Sequence, residues 1–310
     1  MISEQVSTSY NTFTPLLLEV FGSQYLNFGY WNRKGLSIEK AQSNLVKAFG
    51  EFCGLRKGLE VVDVGCGTGE QDIDFVDQFH CKRIIGMNNS KVQVEIALGK
   101  VKSSARYRSK IDFLCENAEN LIQYPKEFCD RVVALESSQH FDKHPFLAGA
   151  FHVLKPNGYL CIAEVIRKGP RLLYEAKLSD IEKELPIQNS LRSLYKSELK
   201  RIRDFIFESF KEKSVKAIAH QNYSISYKEY LTRLNEAGFS IEEIQDITRY
   251  VMGIYPAVRK RVVEMLSQRH PYSHVLLYLF VALYLLHCAF ARKSTGFYFI
   301  RAKKLDGKKL

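Results

Sequence analysis

Two side chains able to hold or move a proton stand where strands of the sequence end. His140 follows the apolar run Cys129 to Leu135, and Glu164 closes the run Tyr159 to Ala163. A neutral imidazole takes a proton near neutral pH, and a carboxylate can orient that imidazole or hold a substrate. His144 is a rival, but it stands directly before Pro145, where a helix begins. Further upstream, Gly65, Gly67 and Gly69 alternate behind the β-branched run Val61, Val62 and Val64, with Asp63 two positions before the first glycine. Alternate glycines let a backbone turn sharply and approach a ligand with no Cβ in the way. A helix over 71–79 then aims its free N–H groups at the same ligand, which suits an anionic or adenosine-bearing molecule.

The elements that must position these residues repeat. Buried strands are read over Val61–Val64, Arg83–Ser90, Ile111–Cys115, Phe128–Leu135 and Tyr159–Glu164, separated by helices near 71–79, 92–103 and 145–154. Five strand–helix units at this spacing imply an α/β fold with a parallel sheet and right-handed crossovers. Ahead of them, Ser37 caps a helix to Phe52. After Glu164 the pattern changes. Residues 171–213 read as helices broken at Pro186, Tyr227–Ala237 as an amphipathic helix closed by Gly238, Phe239–Thr248 as a sixth strand, 255–292 as helix, and Gly296–Lys303 as a last strand.

The glycine turn is G-x-G-x-G rather than the dinucleotide G-x-G-x-x-G. With Asp63 it resembles the first motif of class I S-adenosylmethionine-dependent methyltransferases. Further matches follow along the chain. Gly86, Asn88, Ser90 and Gln93 fit a family pattern in which an amide replaces the usual ribose-binding acid, and Asn117 before Ala118 stands where the family reads the adenine amine. The Leu154-Lys155-Pro156-Asn157-Gly158 turn and the Phe28-Gly29-Tyr30-Trp31 segment are also similar to parts of small-molecule methyltransferases. The resemblance implies a Rossmann-like class I methyltransferase fold: a mostly parallel seven-stranded sheet, helices on both faces and helical lid insertions. It divides the single domain, 1–310, into an N-terminal helical flap (1–52), a cofactor-binding core (53–165), lid insertions (166–226 and 252–292) and the remaining core elements (227–251 and 293–310).

The resemblance further implies S-adenosyl-L-methionine as cofactor, held by Trp31, Asp63, Gly65, Cys66, Gly67, Gly69, Asn88, Gln93, Asn117, Ala118 and Glu136, with no metal. It implies O-methylation of a small, partly apolar natural product, with His140 as general base and Glu164 beside it. Sugar O-methyltransferases with a similar Glu-Ser-x-x-His segment (Glu136-Ser137-Ser138-Gln139-His140 here) use that histidine. The rival is carbon methylation of a prenyl, sterol-like or quinone substrate, leaning on Glu136, Glu164 and aromatics.

Charge and composition narrow the partners. The net charge of +11 is concentrated, with eight basic against four acidic residues over 192–216 and seven against one over 292–310. That field could serve nucleic acid, but no Asn/Asp-Pro-Pro-aromatic turn follows the fourth strand and no Pro-Cys pair supplies a thiolate. Nucleic acid is therefore unlikely. Seven scattered cysteines with no C-x-x-C argue for a reducing, cytoplasmic setting, and residues 1–19 show no secretory pattern. The apolar run over 275–286 is about a dozen residues, short of the roughly twenty that span a bilayer. It reads as a core or homodimer helix, or as a lid that touches a membrane surface.

Overall fold

The computed structural model describes residues 2–168, 177–184, 195–204, 225–268 and 270–305. Its centre is a seven-stranded sheet in the order β3-β2-β1-β4-β5-β7-β6. Strands β1 (Glu60–Val64), β2 (Arg83–Asn88), β3 (Ile111–Cys115), β4 (Cys129–Leu135) and β5 (Leu154–Arg167) run parallel. Strand β7 (Thr295–Lys304) inserts antiparallel between β5 and β6 (Phe239–Asp246). The chain turns from β1 to β2 on one side and reaches β4 on the other. The switch point therefore lies at the carboxyl ends of β1 and β4, where ligands of such sheets bind.

The strands are apolar on both faces because both faces are covered. Val61, Val133 and Phe299 enter one core, while their neighbours Val62, Ala134 and Ile300 enter the other. The first core is closed by α2 (Ile38–Phe52), α3 (Glu70–Phe79), α4 (Lys91–Lys102), α11 (Ile254–Ser267) and α12 (Ser273–Ala291). The second is closed by α6 (Lys143–Val153) and α9 (Tyr227–Glu236). Ser37 caps α2 by accepting from the Lys40 N–H at 3.2 Å, and Ser226 caps α9 in the same way from Glu229.

The long helix α1 (Ile2–Phe21) lies against α4 and α11. Helices α5 (Ala105–Arg108), α7 (Leu178–Glu184) and α10 (Thr248–Val251), the helical residues 195–204 (α8) and the 3₁₀ turns Ala118–Gln123 and Ser138–His140 complete the described elements. The expected break at Pro186 lies outside the described residues.

Several boundaries differ from the sequence reading. Strand β5 begins at Leu154, which pairs with Cys129, so the 154–158 stretch is the strand's irregular start rather than a separate turn. Its pairing with β7 over nine residue positions, from Tyr159↔Lys303 to Arg167↔Thr295, carries it past Glu164. The 255–292 helix is two helices, because Pro271 has no N–H to continue the ladder.

Part of the basic tail is structural. Lys304 is 5% exposed and donates to the Leu154 carbonyl at 2.6 Å, and Arg301 donates to the Phe52 carbonyl at 2.8 Å. Helix α12 is long and apolar enough to cross a membrane by length and composition. Its Leu276, Phe280 and Val281 are nevertheless buried on the first core, and Val275, Tyr278 and Leu279 line an open cavity.

Candidate active site

The three glycines at the end of β1 divide their work. Gly65 sits at φ +81°, and a Cβ there would fall 2.2 Å from Ser137 Cβ, so β1 and β4 close tightly at this point. Gly67 sits at φ +59° with nothing within 4 Å of the position a Cβ would take. Its backbone is left bare toward open space. Gly69 opens α3 as its N-cap. Opposite lies Asn88 at the end of β2. Its amide donates to Gln93 Oε1 at 2.7 Å and to the Gly67 carbonyl at 3.3 Å, and its Oδ1 accepts from the Ser90 N–H at 3.0 Å. Asn88 therefore fixes both the glycine turn and the start of α4. Gln93 passes the connection on to Thr14 of α1 at 2.9 Å.

These residues wall a cleft of about 250 Å³ that includes Cys66, Gly67, Asn88, Gln93, Glu136 and His140. A narrow extension beneath it is lined by Asn88, Glu116, Ala118 and Glu119. The bare Gly67 backbone, the amide of Asn88 and this side slot fit an adenosine-bearing ligand with a small polar tail.

Besides Gly69, which packs on Phe113 and Ala97, four expected contacts fall outside the lining of the cleft. Asp63 is fully buried behind the turn and accepts from Gln71; burial pushes its carboxyl up to about 7. It braces the turn and does not line the cleft. Trp31 donates from Nε1 to the Phe28 carbonyl at 2.8 Å and lies against Gly253, away from the cleft, because α10 and α11 offer it an apolar seat. The residues before it, Gln24 to Phe28, line the cleft instead. Asn117 sits one step back from the slot, its N–H donating to the Glu116 carboxylate at 2.9 Å, so Glu116 rather than Asn117 lines the slot.

Glu164 is the fourth. It is 1% exposed, ion-paired with Lys143 Nζ at 3.3 Å, and accepts from Ser138 Oγ and from Tyr230 Oη at 2.9 Å. Its carboxylate points into the core between α6 and α9, where those cationic and hydroxyl donors hold it. Lys143 also donates to the Ser138 carbonyl. Glu164 thus acts on the turn Ser138–His140, not on the His140 ring.

Glu136 is held at φ +53° at the end of β4, and its Oε1 accepts from the Phe28 N–H at 2.9 Å. Burial pushes its carboxyl up to about 8. The flap is thereby latched onto the site.

His140 Nε2 lies 3.1 Å from the hydroxyl of Tyr10, a residue of α1, with the two rings edge-on. Beyond Tyr10 a second cavity of about 840 Å³ opens between α1, α8 and α12. Val6, Phe13, Ile202, Val275 and Tyr278 make it apolar, with Arg201 and Asp204 also in its wall. Val6, Tyr10, Leu17 and Leu279 line both spaces. The α1 residues were absent from the sequence reading, although Val6, Tyr10, Phe13, Leu17 and Phe21 recur at helical spacing.

Comparison with known proteins gives this geometry a family. A family model described as "Methyltransferase domain" matches residues 62–162. An O-methyltransferase of Aspergillus nomiae is 31% identical over 164 residues, 52% of this chain and 71% of that enzyme. The chain belongs to the class I S-adenosylmethionine-dependent methyltransferases.

The erythromycin 3''-O-methyltransferase of Saccharopolyspora erythraea is also 31% identical, over 202 residues, 62% of this methyltransferase chain. The match spans 64% of that enzyme, just under two thirds of its length. Among solved structures, the cyclopropane synthase MmaA2 from Mycobacterium tuberculosis superposes with a TM-score of 0.71 at 19% identity, covering 97% of this chain and 98% of that one, and shares the fold. The methyltransferase fold and sheet expected from the glycine turn are those observed.

Proposed function

We propose that this chain transfers a methyl group from S-adenosylmethionine to a hydroxyl of a partly apolar small molecule, in specialised metabolism, with His140 as general base. One observation carries the reading. His140 stands on the cofactor side of a narrow junction, and an apolar cavity opens on the other side of that junction. The cofactor supplies a methyl group already activated on a positive sulfur. The chain has then to align the acceptor, exclude water and take the hydroxyl proton.

Gly65 to Gly67, Asn88, Gln93, Glu116 and Ala118 would hold the cofactor, and α1, α8 and α12 would hold the acceptor. A neutral imidazole at the junction supplies the base. Relatives named as O-methyltransferases, one of them of erythromycin, support the choice of oxygen. The carbon-methylating alternative leans on Glu136 and Glu164, and Glu164 is already committed to Lys143. The seven cysteines are free thiols, which supports a cytoplasmic setting.

The test is transfer of radiolabelled methyl to a panel of macrolide glycosides and alkylresorcinols, each paired with its O-acetylated form. Labelling of the free hydroxyl form alone supports oxygen. Equal labelling of both refutes it.

A further inference from the structure

His140 lines the cofactor cleft and its slot but not the apolar cavity, whereas Tyr10 lines both the cleft and the cavity. An acceptor entering along the apolar wall therefore meets the Tyr10 hydroxyl before it can meet the imidazole. That hydroxyl is 3.1 Å from Nε2, within reach for proton transfer, and the Gln139 amide stands 3.5 Å from the same atom; in the tautomer protonated on Nδ1, Nε2 accepts from the hydroxyl. Tyr10 is also held in place. The next residue, Asn11, accepts on Oδ1 from Ser90 Oγ at 2.8 Å, and one turn on Thr14 takes the Gln93 amide, so α1 is bolted to the start of α4. Burial, and next the charge of Glu136, push the Tyr10 phenol up to about 12, so it carries its proton at neutral pH.

We infer that Tyr10 is a second catalytic residue, passing the acceptor's proton to His140 rather than merely walling the site. The inference rests on the oxygen reading above. As the acceptor oxygen bonds to the methyl carbon, the methyl–sulfur bond breaks and its electron pair stays on sulfur. The acceptor O–H proton moves to the Tyr10 oxygen, and the Tyr10 proton moves to His140 Nε2. The products are a methyl ether, a neutral thioether and an imidazolium, with Tyr10 restored to its neutral form. The positive charge has moved from sulfur to the imidazole, and no further reactant is needed.

The experiment has two arms. The first needs no turnover: in the cofactor-free protein, the ¹⁵N signal of His140 Nε2 moves downfield on Tyr10→Phe, because a hydrogen-bond donor to that lone pair is removed. An unmoved signal overturns the contact and the relay with it. The second uses the best acceptor from the macrolide and alkylresorcinol panel. Tyr10→Phe lowers kcat about tenfold or more with calorimetric S-adenosylmethionine affinity little changed, and Tyr10→Phe/His140→Ala is no slower than His140→Ala alone.

A Tyr10→Phe enzyme with wild-type kcat, or one altered in KM only, overturns the relay while leaving oxygen methylation standing. Methylation of the O-acetylated forms as fast as the free ones overturns the oxygen reading and the relay together. Circular dichroism and the preserved cofactor affinity separate either result from misfolding.

Discussion

The buried pair Lys143–Glu164 offers a quantitative test of how the site is held. The two side chains are 2% and 1% exposed, their charged atoms are 3.3 Å apart, and Glu164 has the Ser138 and Tyr230 hydroxyls as further donors. Glu164→Gln keeps the volume and removes the charge. Lys143 Nζ is then left inside the core with the Ser138 carbonyl and no counter-ion. Burial already pulls its ammonium below the usual lysine range. Breaking one side of such a pair costs about 3–5 kcal/mol. At roughly 2 °C per kcal/mol for a chain of this size, the melting temperature should fall by about 6–10 °C.

The double substitution Lys143→Met/Glu164→Leu removes both charges and should recover most of that loss, because neither charge is then stranded. Calorimetric melts of the wild type, Lys143→Met, Glu164→Leu and the double variant complete the cycle. A Glu164→Gln melting temperature within about 1 °C of wild type would refute the assignment of a charged, fully desolvated pair.

Other substitutions separate the roles of the turn, the latch and the flap. Gly67→Ala places a methyl in the open cleft at positive φ, and should weaken S-adenosylmethionine binding at least tenfold by calorimetry for a stability cost of only about 1–2 kcal/mol. Gly65→Ala drives a methyl into Ser137 and should yield little folded protein, measured as soluble expression and cooperative melting. The Glu136 carboxyl sits at about 8 when folded against an ordinary value of 4.5, so the native state binds the extra proton. Its contribution to stability is full below pH 4.5 and is lost as pH rises through 8, so denaturant midpoints between pH 5 and 8.5 should fall more steeply for wild type than for Glu136→Gln. Trp31→Phe loses the bond to Phe28 and part of the seat on Gly253, so it should lower the melting temperature while S-adenosylmethionine affinity changes by less than about threefold.

Much of the fold could be read from local pattern. Val61 to Gly69 announced a buried strand, a turn and a helix, because β-branched residues, alternate glycines and an amphipathic helix start each act over a few positions. Asn88 and Gln93 were found as a pair for the same reason, since five residues separate them across one strand end and one helix start. The family motif therefore points to the cleft proposed to hold the methyl donor without any long-range contact.

Tertiary structure decided what sequence spacing cannot encode: which face a side chain turns to, and what comes to meet it from far along the chain. Glu164 and His140 both follow core strands, yet one turns into the core to meet Lys143 and Tyr230 while the other turns to the cleft. Asp63 and Trp31 carry motif-like types, but Asp63 is buried behind the turn and Trp31 is half-buried against Gly253 at the start of α11. Tyr10 reaches His140 across 130 residues, a pairing that only the docking of α1 on α4 creates. The sequence by itself determined the strands, the glycine turn and the Asn88–Gln93 strand end beside it, because those arise from near-neighbour patterns. Packing decided the apolar cavity and the Tyr10–His140 contact, because a cavity exists only between elements that meet in space.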